Sequence, residues 1–221
     1  MKKWFSLLLT VLVAAHFSAQ AQRQVNDATL HYTIEVQSSD NSKLSAMNGA
    51  TMKVFVKATQ SKSVMESSMG SETNVYDARA GKGFILKSYS GQQLMITMSK
   101  ANWQQKNKTH ASLKFTTEDT EEKFGNYKLK KATSELPGGR TYTVFYTPDL
   151  VLNNKEYNNA FPQLPGVPVR YSVVSGDIVF TYTLNKIETD PVPTAIFDSP
   201  KSGYRTMTYE ENMQLRKEGI R

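Results

Sequence analysis

Few residues in this sequence have the type and spacing that chemistry requires. His31 and His110 stand alone, with no histidine or carboxylate at a zinc-type interval, and each reads as a strand or loop histidine. No G-x-S-x-G elbow presents a serine nucleophile. The glycines at 81, 83 and 91 do not open a helix, so they form no phosphate cradle. Glu118, Asp119, Glu121 and Glu122 cluster as a glycosidase pair might require, but they lie in a charge run beside lysine and threonine, which reads as a solvated turn. Asp149, Asp177, Asp190 and Asp198 adjoin proline or glycine and read as turn formers. No catalytic residue, metal ligand or cofactor is assigned. A hydrolase with an unrecognised carboxylate site is the enzymatic alternative, and it requires an acid pair or polar cluster buried in a cleft.

The methionines suggest binding instead. Met52, Met65, Met69, Met95 and Met98 fall in the first half of the chain, and unbranched thioethers adapt to ligands of varied shape. With Leu94, Ile96 and Trp103 they read either as an apolar trough or as ordinary core filling. Alternation nominates Met52, Met95, Met98, Trp103 and Phe145 as inward-facing, ligand-binding residues.

The elements that carry these residues are mostly strands. Leu30, Tyr32, Ile34 and Val36 alternate with polar neighbours, and Met52, Val54, Val56 and Ala58 repeat the pattern. Further strands are predicted at 62–68, 73–78, 83–90, 93–99, 111–117, 124–134, 140–147, 169–174 and 178–187. Lys128, Lys130 and Lys131 alternate with Tyr127 and Leu129, as on a solvated strand face. Ser99 caps a short helix reaching Lys108, and Thr208 with Glu211 forms a capping box for a helix over 209–218. Residues 153–168 read as a loop, because Pro162, Pro165 and Pro168 lack the donors of a central strand.

The start of the chain reads as an export signal. Lys2 and Lys3 precede an apolar run from Trp4 to Ala15, and Ala19-Gln20-Ala21 fits signal-peptidase cleavage after Ala21. A run of about 12 residues is shorter than the 20 or so that span a bilayer, and no later segment is longer, so the chain is not expected to be membrane-spanning. Residues 22–221 then form a single domain, periplasmic or secreted. With no cysteine it carries no disulfide and no lipid-anchoring thiol. The formal charge of +7 falls to +5 without Lys2 and Lys3, and the lysines are too dispersed to track a phosphate backbone, so no nucleic acid is assigned as partner.

Residues 124–132 (FGNYKLKKA), 142–150 (YTVFYTPDL), 164–168 (LPGVP) and 196–200 (IFDSP), with Gly203-Tyr204, form an ordered series. Over roughly residues 28 to 207 the chain resembles an exported Bacteroidetes-type family, a GLPGLI-like or sister group, with an outer-membrane lipoprotein carrier-like fold. It departs from the GLPGLI signature at Gln163 and at Val167-Pro168. The resemblance implies a mainly β fold: a strongly curved antiparallel sheet, an open half-barrel with short helices on its concave side. In the carrier relatives that side holds acyl chains. The functional expectation is an exported, non-enzymatic protein that binds a lipid or lipoprotein acyl chain. The alternative is an envelope protein–protein interaction module docking through a strand edge or the Phe161–Pro168 loop.

Overall fold

The computed structural model describes residues 22–39, 44, 47, 49–136, 139–158 and 160–219; the expected leader lies outside them. Among the described residues there are fourteen strands: β1 (Arg23–Val25), β2 (Asp27–Gln37), β3 (Thr51–Lys57), β4 (Gln60–Ser67), β5 (Gly70–Asp77), β6 (Lys82–Tyr89), β7 (Gln92–Ser99), β8 (Thr116–Phe124), β9 (Tyr127–Glu135), β10 (Thr141–Thr147), β11 (Leu150–Leu152), β12 (Val167–Ser175), β13 (Ile178–Glu188) and β14 (Arg205–Thr208). Among the described residues two helices have complete bounds, α1 (Lys100–Ala111) and α2 (Tyr209–Lys217). Twelve strands form one sheet in the order β14-β7-β6-β5-β4-β3-β2-β13-β12-β10-β9-β8, antiparallel except where β14 joins β7. β1 and β11 pair separately as a short parallel ribbon.

Both helices begin as the sequence indicates. Ser99 accepts from the Asn102 N–H while Asn102 reaches back to the Ser99 N–H, and Thr208 and Glu211 repeat the arrangement. Asn102 Nδ2 then donates to Glu210 Oε1 at 2.6 Å, tying α1 to α2.

Helix α1 shows how far the sheet curls. Trp103 stacks on Tyr76 of β5 at 4.5 Å between ring centroids, and His110 lies 6.1 Å from the Tyr142 ring of β10. In sheet order β5 and β10 are six spacings apart, about 29 Å if the sheet were flat. Trp103 and His110 are separated by only about 10 Å of helix. The sheet therefore bends toward the helix, and because its end strands β14 and β8 do not pair with each other it is an open half-barrel.

Its concave face holds two apolar clusters. The larger gathers Leu30, Tyr32, Val54, Val144 and Leu184 around Phe161. The smaller joins Tyr76, Ile85, Ile96 and Met98 to Trp103 and Tyr209. On the outer face a 3-10 turn at Thr194–Phe197 lays Phe197 against Val75.

Three expectations are corrected. The acidic run is no turn: Thr116–Phe124 is the edge strand β8, its Glu118, Asp119 and Glu122 facing Lys131, Lys130 and Arg170. Charge on an exposed edge discourages pairing with another chain. The strand expected at 111–117 begins only at Thr116, with the end of α1 and a connection before it. The Phe161–Pro168 segment is not loop throughout, because Val167 and Pro168 open β12. Phe161 and Leu164 are buried, Phe161 packs on Tyr142 and Tyr171, and Pro168 lies near the start of β12, where its carbonyl accepts from Tyr32 Oη at 2.8 Å.

Gly166 explains the LPGVP motif physically. A Cβ there would lie 2.0 Å from the Thr147 carbonyl oxygen, so this crossing over the end of β10 admits no side chain. Gly166→Ala is expected to cost about 3 kcal/mol through forced backbone movement. Gly176→Ala, in an open turn with φ +62°, should cost only about 1 kcal/mol. Urea unfolding of both variants checks the difference; equal costs would contradict the packing account.

Candidate functional site

Register decides which side chains share the concave face. Tyr32 pairs with Met52, Met52 with Met65, and Met65 with Glu72; one row along, Val54, Ser63, Asn74, Ile85 and Ile96 follow each other across five strands. At β4 and β5 the lining turns from aliphatic to polar, with Ser61, Ser63 and Asn74 between the two apolar clusters. A cavity of about 160 Å³ lies over this stretch. Met52, Val54, Ser61, Ser63 and Asn74 contribute from the sheet, and Tyr32 and Tyr171 from its other half. Trp103, Lys106 and Asn107 of α1 and Tyr157, Asn158 and Ala160 of the connection between β11 and β12 complete the lining.

Two lining residues carry buried polar atoms without a hydrogen-bond partner, Asn74 Oδ1 and the Tyr157 hydroxyl. The Tyr157 hydroxyl lies beside Asn158 but falls short of hydrogen-bonding geometry with it. Burial raises its pKa, so it is a neutral O–H donor. Asn74 Nδ2 donates to Glu72 Oε1 at 3.3 Å, and Glu72 is itself paired with Lys87 at 3.3 Å. Because a carboxylate only accepts, this contact turns the Asn74 NH₂ toward Glu72 and leaves Oδ1 as the unpaired atom. Such atoms are rare in folded proteins, since each costs about 1–3 kcal/mol unless something meets it.

Lys106 adds a charge. Its ammonium lies 5.7 Å from the Trp103 ring centroid. Although the residue is exposed, the protein surrounding its ammonium lowers its pKa, with Glu72 pulling the other way and Lys87 adding to the depression. The site thus presents a neutral donor, a fixed acceptor, a cation and flanking aromatic and thioether surface. Among the described residues no group of three or more histidines and carboxylates is placed to hold a metal, and no helix is long and apolar enough to cross a membrane.

The five residues nominated from sequence are not all brought together. Met52 and Trp103 line the cavity. Met98 is on the same face but buried in the smaller cluster, 3% exposed, beside Ile96 and Met207. Met95 stands on the opposite face, in the row of Leu86 and Thr73. It is three residues from Met98 in one strand, so a period of two cannot put both inward. Phe145 also points outward from β10, under the Arg170 guanidinium at 4.2 Å, while Val144 and Tyr146 point in. Asn74 had a sequence signal, as a polar residue in phase with inward Tyr76. Tyr157 had none, since only the fold carries its loop over the sheet.

No protein-family profile and no curated protein matches the chain. Among solved structures it is similar to PNGF-II in two crystal forms, C2 and P21, with TM-scores of 0.47 and 0.46 and 12% identity. The alignments cover 85% and 86% of this chain but 32% and 33% of PNGF-II, so the chain spans about a third of that protein's length. It is also similar to a LolA superfamily protein from Nitrosomonas europaea, with a TM-score of 0.38 and 12% identity over 79% of this chain and 90% of the other.

Removing one hydroxyl tests the two classes of buried tyrosine. Tyr157→Phe deletes an unpaired group and is expected to leave stability unchanged or raise it by about 1 kcal/mol. Tyr32→Phe deletes the donor to the Pro168 carbonyl and should lose about 1 kcal/mol. Thermal unfolding of the ligand-free protein measures both; a loss at Tyr157 equal to that at Tyr32 would show that its hydroxyl is already satisfied.

Proposed function

We propose that this protein is a non-enzymatic binding protein of the bacterial envelope that holds an amphipathic ligand, a lipid or acyl chain with its polar end, on the concave face of the half-barrel. The observation that carries this reading is the pair of unpaired buried atoms on Asn74 and Tyr157 in one cavity walled by Met52, Val54, Trp103 and Tyr171. Apolar walls with a few convergent polar groups are the usual form of a small-molecule site. Envelope location rests on the export signal read in residues 1–21.

Size limits what is enclosed. About 160 Å³ lies below the 300–1,000 Å³ or so of pockets that engulf a drug-sized ligand. The larger apolar cluster is already filled by Phe161, Tyr171 and their neighbours. The cavity therefore takes the polar end and a short apolar stretch, each buried methylene adding about 0.8 kcal/mol, while the rest of a long chain lies outside it.

Native mass spectrometry with organic extraction, on protein purified gently from an envelope fraction, tests this reading. A stoichiometric amphiphile is expected. Protein that carries none, and binds neither a fluorescent fatty alcohol nor a fluorescent fatty acid, would overturn it.

A further inference from the structure

The polar atoms of the cavity differ in what they can accept and donate, and this selects among ligands. The Asn74 amide cannot turn over without facing its oxygen to the Glu72 carboxylate, which Lys87 holds in place. A ligand group meeting Oδ1 must therefore donate a proton. A carboxylate or a phosphate monoester dianion at that point has only acceptor oxygens, and it would be repelled both by Oδ1 and by the carboxylate behind it. The Tyr157 hydroxyl has the complementary need, an acceptor for its proton. Asn74 and Tyr157 line the same cavity, so a ligand group that both donates and accepts would meet both needs. A hydroxyl does so with one atom, and an amide does so with its N–H and C=O.

We infer that the ligand's head is uncharged and carries a hydroxyl or an amide, donating to Asn74 Oδ1 and accepting from Tyr157. This rests on the binding role proposed above and narrows it. Lys106 does not reverse the selection. Its ammonium already lies over the Trp103 ring and in the field of the Glu72 carboxylate, which offsets part of the attraction a headgroup anion would feel. The hydroxyl of an acylglycerol and the amide of an acylated amine or peptide share this chemistry, and direct comparison separates them.

The sequence contains two tryptophans, Trp4 and Trp103, so Trp4→Phe in the full chain leaves the cavity tryptophan as the only indole emitter. Titration at pH 7.5 with 1-lauroylglycerol, lauramide and laurate, below their micellar or solubility limits, compares one chain length under three heads. The neutral heads are expected to bind about ten-fold or more tighter than laurate, as two hydrogen bonds warrant, and the tighter of the two identifies the source. Tyr157→Phe and Asn74→Leu, each checked for native circular dichroism, should reduce that preference to about two-fold. Laurate binding as tightly as the neutral heads would overturn the inference and leave the binding role standing, as would a preference that survives both substitutions. If none of the three amphiphiles shifts Trp103 emission or binds in equilibrium dialysis, the binding role fails and the inference with it.

Discussion

Everything distinctive about this molecule depends on one short helix lying across a sheet much wider than itself. α1 contacts β5 near one end and β10 near the other, and those strands can meet it together only if the strands between them curl. Curling brings the side chains of one face into a common interior. It lets Glu72 of β5 act on the Tyr182 hydroxyl of β13, four strands away in sheet order, and lets residues of five strands line one cavity. The same bend leaves an outer face on which, among the described residues, Val192 and the Phe197 turn pack against Val75.

Within that interior the two halves are treated differently. On the β2–β10 side, the 153–168 connection folds in, and Phe161 with its tyrosine neighbours closes the core. On the β5–β7 side, Trp103 and Tyr76 stack beneath α1 and α2. Between them, at β4 and β5, the sequence supplies Ser61, Ser63 and Asn74 where aliphatic residues would have completed the packing. A fold selected only for stability gains nothing from an unmet carbonyl and an unmet hydroxyl in two residues that line one cavity. Their retention, with Glu72 fixing the direction of one of them, is the physical basis for a binding role.

Most of the architecture was legible because it is local. Period-two alternation located most strands of the main sheet, and the Ser99 and Thr208 caps located both helix starts. The failures have physical reasons. β14 is four residues long and is a strand only because β7 lies beside it. β8 lacks apolar alternation because an edge strand buries almost nothing. The site was half visible. Met52 and Trp103 followed from residue type, whereas Met95 and Phe145 were assigned inward although strand parity sends them out. Tyr157 sits in a connection whose course is decided by Phe161 and Leu164 entering the core, a non-local event with no local pattern.

The central claim is that the cavity between Asn74 and Tyr157 is where a ligand's polar end resides. A crystal structure of the protein purified from its native envelope, without detergent exchange, addresses this most directly. The account predicts an amphiphile whose head lies within hydrogen-bonding distance of both Asn74 Oδ1 and the Tyr157 hydroxyl, with its chain leaving past Met52 or Trp103. A cavity holding only ordered water that bridges those two atoms, in protein that carries its amphiphile elsewhere or not at all, would contradict it.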